Sequence, residues 1–404
     1  MNILAAQSGG PTAAINATLA GVLKGAFEDL QADKVFGALN GIEGVLSENF
    51  KDMSHFKNED NLNLLRQTPS SYLGSCRKKL PDLSEDESIY IKIFDVLKKH
   101  GIKYFFYIGG NDSMDTAAKL GEYAKAKNID IFIIGVPKTI DNDLRLTDHT
   151  PGYGSAAKFV ANSIKQLALD TGVYQMKSAV ILEVMGRNAG WLTAAAALAN
   201  NGKSTYADII AIPEVPFDAD KFLAKIEKTA NEKGTVMIAL SEGIKDKNGA
   251  YVGEALSKRN ASDDKFSHAV LGGVGRITEN LVAKELGIKT RTVELSTLQR
   301  CFSALSSKCD IEESVSCGYE AYKMAQKGLN GIMAGFERIS DAPYKSRVVP
   351  FDAKEAANFE KKIPPEMISE DGFSVTKSFI RYARPLIDGE NPIIYENGVI
   401  KFTE

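Results

Sequence analysis

Four times in its first half the chain runs from a short apolar stretch straight into a glycine-rich or polar cluster. The clusters are Ser8-Gly9-Gly10-Pro11-Thr12, Gly109-Gly110-Asn111-Asp112-Ser113, Pro137-Lys138-Thr139-Ile140-Asp141-Asn142-Asp143 and Met185-Gly186-Arg187-Asn188-Ala189-Gly190. Longer amphipathic stretches alternate with the apolar runs, the pattern of βα units on a mostly parallel sheet. Ligands of such sheets collect beyond the carboxyl ends of the strands, where these loops gather. The periodicity predicts strands over 2–7, 104–108, 131–136, 179–185, 209–213, 236–241, 292–295 and 332–336. Helices are expected over 13–30, 113–127, 155–170, 189–200, 219–232, 270–286 and 311–327. Residues 241–268 read as a polar surface excursion, and the last fifty, rich in charge and proline, as an appended meander. At 404 residues the chain is too long for one ordinary core, so two or three α/β units are expected.

Composition narrows the chemistry. Lys and Arg total 49 against 52 Asp and Glu, a net charge of −3 that gives no bulk reason to bind nucleic acid or an anionic membrane. The 4 cysteines form no C-x-x-C pair and the 4 histidines no H-x-x-x-H, which argues against a disulfide framework and a zinc enzyme. No apolar run reaches the roughly 18 residues of a membrane helix, and the first residues lack the basic region of a signal peptide. A soluble, cytoplasmic protein is expected.

The loops carry the functional reading. Gly9 and Gly10 leave backbone N–H groups free to approach a phosphate at a helix start, although a tight turn would need the same residues. Gly109 and Gly110 repeat the arrangement, with Asn111 and Asp112 as oxygen ligands suited to Mg²⁺, or Asp112 and Ser113 as plain helix caps. The spacing matches neither a Walker A motif nor the G-x-G-x-x-G of a dinucleotide site, which speaks against a nicotinamide dehydrogenase. The loop 137–143 is the sharpest feature: two carboxylates and an amide lie within three positions, beside a lysine and a threonine. One aspartate there can take a proton from a hydroxyl while the other orients a metal, and Lys138 can offset charge on a phosphoryl group. Arg187, Arg77, Arg291 and Arg300 suit phosphate, or equally a surface ion pair.

Together, SGGPTAAIN, LGSCR, GGNDS, PKTIDND, TPGYGSA, EVMGRNAG, SEG and TLQR resemble the phosphofructokinase family, in its pyrophosphate-dependent branch, from residue 1 to about 335. The resemblance implies an α/β fold of two related three-layer domains with mostly parallel sheets facing across an active-site cleft. It implies a phosphoryl-donor domain from 1–140 with about 299–345, and a sugar-phosphate domain from 141–298 with about 346–404. The implied reaction is phosphorylation of fructose 6-phosphate at its C1 hydroxyl, reversible because the donor is pyrophosphate, with Mg²⁺ as cofactor. Asp141, Lys138 and Asp112 would form the catalytic set, with Asp141 as general base. Gly10, Arg77, Gly110 and Ser113 would hold the donor, and Asn111 and Asp143 the metal. The sugar phosphate would fall to Thr139, Asp141, Met185, Gly186, Arg187, Glu242, Arg291, Thr297 and Arg300, with Arg291 reaching from a neighbouring subunit of a homodimer or homotetramer.

Donor choice follows from two positions. ATP-using relatives carry glycine where this chain has Asp112 and Lys138; a carboxylate at 112 would crowd and repel the α-phosphate of ATP. The chain departs from the branch at Asn111, where a carboxylate is usual, and at Ser178, where an arginine is usual; Ile42 replaces an aromatic of the ATP relatives. An ATP-dependent phosphofructokinase is the nearest alternative. A non-catalytic sugar-phosphate sensor is the other, resting on Asn111 and Ser178.

Overall fold

The computed structural model describes residues 1–253, 273–357 and 359–403. The part of the expected excursion beyond residue 253, and the first turn of the helix expected from 270, lie outside them.

Strands β1 (Asn2–Gln7), β2 (Lys34–Ala38), β3 (Phe50–Asp52), β4 (Ile102–Gly109), β5 (Phe132–Pro137), β10 (Ile332–Asp341) and β11 (Tyr344–Asp352) form a seven-stranded sheet in the order β11-β10-β5-β4-β1-β2-β3. The five inner strands are parallel and the two edges antiparallel. Apart from Lys103 near its start, β4 is apolar like β5, because helices cover both faces of a parallel sheet. A second, wholly parallel sheet has the order β7-β8-β6-β9, from β6 (Ser178–Val184), β7 (Ile209–Ala211), β8 (Thr235–Ser241) and β9 (Lys289–Glu294). Two parallel α/β units with separate cores are thus present, as the alternation predicted.

The helices Ile15–Glu28 and Lys308–Gln326 pack unusually close. A Cβ on Gly21 would come within 2.0 Å of the Val315 carbonyl, and one on Gly318 within 2.0 Å of the Thr18 carbonyl. The contact ties the N-terminal βα unit to the last third of the chain, which then supplies β10 beside β5.

Differences from the expected elements have local causes. β2, β3 and β11 were not predicted; they are short or lie at an edge, and the half-exposed alternation of β11 carries little apolar signal. β11 carries the first sheet to Asp352, past the boundary expected near 345, because it returns antiparallel along β10. The helix expected over 189–200 is one α-turn, Trp191–Ala194, followed by a 3₁₀ turn, Ala195–Ala199, wholly buried by its small side chains. The terminal meander serves both units. Phe379 and Leu386 enter the second core, while Gln67 of the first unit receives Ile394 N–H at 3.0 Å and donates to Lys401 O at 2.6 Å. Among the described residues no helix is long and apolar enough to cross a membrane.

Residues 141–153 carry the chain from β5 to the helix Tyr153–Thr171 of the second unit, and an ion cluster holds them. His149, 2% exposed, stacks on Phe336 and pairs Nδ1 with Asp148 at 2.9 Å and Nε2 with Glu313 at 2.8 Å. Arg338 donates to both oxygens of Asp148 at 3.1 Å. Burial opposes the charge on His149, but Glu313 and Asp148 outweigh it and raise the imidazole to about 9. Against the same burial penalty, His149 and its neighbours hold Asp148 and Glu313 at about 2. A raised histidine stabilises fully below its unfolded value of about 6.5 and loses that contribution as pH climbs through about 9; the depressed carboxylates contribute above their ordinary values and fail only in strong acid. His149→Gln is therefore expected to lower Tm by roughly 5–10 °C at pH 6, and by much less at pH 9.5. Thermal melts of both proteins across that range check it; an equal penalty at both pH values would refute the charged cluster.

Candidate active site

β5, β4 and β1 end level, since Gly109 pairs with Pro137 and Gln7 with Ile108. Their loops therefore share one rim, at the point where the strand order switches direction. The rim of the second sheet meets it across a cavity of about 600 Å³. On the donor side Gly9 adopts φ +76°, a conformation glycine takes without strain, and its N–H and C=O bond to Cys76 O at 3.3 Å and Ser75 Oγ at 2.6 Å. A Cβ on Gly10 would lie 3.5 Å from Arg300 Nη1, so the loop leaves that guanidinium room.

Lys138 is only 2% exposed, and its Nζ donates to Gly10 O. Burial draws it down to about 8, with Arg300 adding to the effect and Asp141 and Asp143 opposing it. Asp141 and Asp143 flank Asn142, which is fully buried at φ +54°, a left-handed conformation that asparagine tolerates better than most residues. Both carboxylates line the cavity. Burial raises Asp141, against Lys138, Thr139 and Arg300; burial and the charge of Asp141 raise Asp143. A carboxylate raised in this way is a stronger base near neutrality.

Asn111 Nδ2 lies 3.4 Å from Asp143 Oδ2, and its Oδ1 is buried with no hydrogen-bond partner. Turning the amide over would free Nδ2 from Asp143 and set the orphaned oxygen beside that carboxylate, an oxygen pair that suits a hard divalent cation. No group of three or more His, Cys, Asp or Glu among the described residues could hold a metal by itself. The pair fits an ion that takes few protein ligands and completes its shell from phosphate oxygens and water.

On the opposite rim Met185 N–H donates to Gln299 Oε1 at 3.1 Å, and Gly186 N–H to Glu242 Oε1 at 3.3 Å. Burial raises Glu242. Gly243 is required there, because a Cβ would come within 2.0 Å of the Arg187 carbonyl.

The cavity brings together Gly10, Arg77, Gly110, Asn111, Asp112, Ser113, Lys138, Thr139, Asp141, Asp143, Met185, Arg187, Glu242 and Arg300. Three expected residues are not in its lining. Gly186 lies behind Glu242, while Arg291, on edge strand β9, and Thr297 are exposed elsewhere. Of the departures, Ile42 is a core residue, and Ser178 is buried with its hydroxyl 3.1 Å from Thr235 Oγ1. Sequence reasoning passed over Lys78 and Lys79, which continue the cationic run from Arg77, and Asn188 beside Arg187. Lys79 Nζ pairs with Asp112 Oδ1 at 2.8 Å at the exposed mouth of the donor side.

Comparison with known proteins identifies the family. The family model described as Phosphofructokinase matches residues 2–325. A pyrophosphate–fructose 6-phosphate 1-phosphotransferase of Xanthomonas campestris pv. campestris is 44% identical over 404 residues, covering 99% of this chain and 95% of its own. One from Methylococcus capsulatus is 39% identical, covering 98% and 94%. A crystal structure of a pyrophosphate-dependent phosphofructokinase from Nitrosospira multiformis superposes with a TM-score of 0.90 at 36% identity, covering 100% of this chain and 95% of that one. With a cavity of this composition and likeness along its whole length, the chain belongs to the phosphofructokinase family.

Proposed function

We propose that the chain transfers a phosphoryl group reversibly from pyrophosphate to the C1 hydroxyl of fructose 6-phosphate, giving fructose 1,6-bisphosphate and phosphate. The observation that carries this reading is Lys138, buried under the donor loop with its ammonium on Gly10 O, while Asp112 stands at the outer edge of the same pocket. A lysine there occupies space and supplies charge where a short inorganic donor ends; Asp112 opposes the α-phosphate of a nucleotide. The names of the relatives reported above support the same donor.

In this reading the seven-stranded sheet carries the donor and the four-stranded sheet the sugar phosphate. The C1 hydroxyl gives its proton to Asp141, its oxygen attacks the near phosphorus of pyrophosphate, and the bridging P–O bond breaks to release phosphate. Lys138 and the N–H groups of the Gly10 and Gly110 loops offset the charge that spreads over the phosphoryl oxygens. Thr139 and Glu242 orient the sugar, with Met185 and Arg187 along it, and Arg77 and Ser113 hold the donor. Asp143 and Asn111 would hold Mg²⁺, which neutralises charge on the donor oxygens when bound. Arg300, between the two rims, meets the sugar's 6-phosphate. Exposed Arg291 on edge strand β9 suits reaching into a neighbour's cavity in a homodimer or homotetramer; Gly186 acts on the sugar site only through its N–H on Glu242, and Thr297 stands away from it. Cytoplasmic phosphorylated metabolites are its substrates.

Steady-state phosphorylation of fructose 6-phosphate with Mg²⁺, comparing the two donors, tests the proposal: turnover with pyrophosphate and little with ATP is expected, and turnover with ATP alone would overturn the donor assignment. Asp112→Gly combined with Lys138→Gly is expected to raise ATP use and depress pyrophosphate use. Asp141→Ser should lower kcat about 10²–10⁴-fold with fructose 6-phosphate affinity nearly unchanged; wild-type turnover would remove Asp141 as the base. Asn111→Asp should lower the Mg²⁺ concentration for half-maximal rate, read by metal titration.

A further inference from the structure

Residues 360–363, in the terminal stretch whose role the sequence left unread, stitch the two rims of the cavity together. Glu360 pairs as an isolated bridge with Leu144 and its carboxylate accepts from Asn188 Nδ2. Lys361 N–H donates to Asp143 O at 2.7 Å, and Lys361 O accepts from Trp191 Nε1 at 2.8 Å. Ile363 N–H donates at 3.0 Å to Glu214, which also takes Gly190 N–H at 2.9 Å.

The Lys361 ammonium is directed at one turn. Its Nζ donates to Asp148 O at 2.7 Å, Thr147 O at 3.2 Å and Asn142 Oδ1 at 3.4 Å, and lies 5.3 Å from the centre of the Trp191 ring. All three acceptors are neutral oxygens, so the three donors of the ammonium are matched without a carboxylate. Asn142 is held on its other sides as well. Its Oδ1 accepts Thr150 N–H at 3.1 Å, and its Nδ2 donates at 2.7 Å to Tyr382 Oη, which in turn donates to Asp148 O at 2.7 Å.

We propose that Lys361 is a positioning residue for phosphoryl transfer: by gripping Asn142 and the carbonyls of Thr147 and Asp148, it fixes the left-handed turn that aims Asp141 and Asp143 into the cavity. The inference rests on the assignment of Asp141 as base. A misplacement of about 1 Å in such a group can slow a reaction about a hundredfold without weakening binding.

Lys361→Met keeps the stem and removes the donors. We expect kcat to fall about tenfold to a hundredfold, KM for pyrophosphate and fructose 6-phosphate to stay within about threefold, and Lys361→Arg to recover part of the rate. Tyr382→Phe should shift kcat in the same direction by less. The double variant should lose less than the product of the two effects, because both act on Asn142. Exposed Lys362→Met serves as control and should match wild type. A rise in KM at unchanged kcat, or a lower Tm at wild-type kcat, would overturn the proposal. Should Lys361→Met not fold, Tyr382→Phe decides, and wild-type kcat there overturns it. Asp141→Asn at wild-type turnover would instead sink the assignment of the base.

Discussion

The buried carboxylate of Asp310 accepts Gly152 N–H and Ser155 N–H, each at 2.9 Å, and the Ser155 hydroxyl as well. Burial raises this acid, and the hydrogen bonds from Ser155 and Gly152 oppose the shift. Three converging donors are the arrangement that lets a carboxylate remain in a protein interior. They pin the start of the helix Tyr153–Thr171 to the helix Lys308–Gln326, at the end of the connection that leaves β5 at Pro137. The segment between is clamped again by the His149 cluster, which ties the carboxyl edge of one sheet to the start of the other unit. The cavity, the approach of Arg300 to Gly10 and the crowding of Asp141 against Lys138 follow from that spacing.

The charges inside the cavity are balanced by proximity rather than by ideal pairs. Lys138 is destabilised as a cation by burial, Asp141 and Asp143 as anions by burial, and Asp143 further by the charge of Asp141, while Lys138 and Asp141 temper each other's shift. A polyanionic donor entering such a pocket would favour the charged lysine and disfavour the two charged carboxylates. The second effect explains why a cation beside Asp143 is chemically apt, and why the amide of Asn111 can stand where a third carboxylate would add to the repulsion.

Much of this was readable in the order of residues. The loops at Gly10, Gly110, Lys138 and Met185 announce themselves because an apolar strand core ends abruptly in residues that cannot continue it, and the cavity gathers all four. What stayed hidden has physical reasons. An edge strand such as β11 only half-buries its inward side chains, and polar ones suffice. Lys361 and Asn142 look like surface residues in a sequence, since a buried amide or ammonium is recognisable only when its acceptors, distant in the chain, are known. Asp310, His149 and Glu313 are of the same kind. Arg291 and Thr297 lie outside the cavity because a strand-end motif tells where a loop begins, not toward which rim it turns.

The placement of β10 has a consequence for how the protein comes into being. β5 pairs with residues from 332 onward, and the close helix contact at Gly21 needs Gly318. Most of the four-stranded unit is synthesised in between. A nascent chain would therefore hold all the strands of the second sheet while the first still presents an open apolar strand edge and an uncovered helix face, and the second core would still wait for Phe379 and Leu386. Contacts of such long sequence separation are slow to form and prone to wrong partners. Both units thus close only on the last quarter of the chain, the first on β10 and the second on the terminal stretch, and a chain cut short before residue 332 would keep the apolar edge of β5 open.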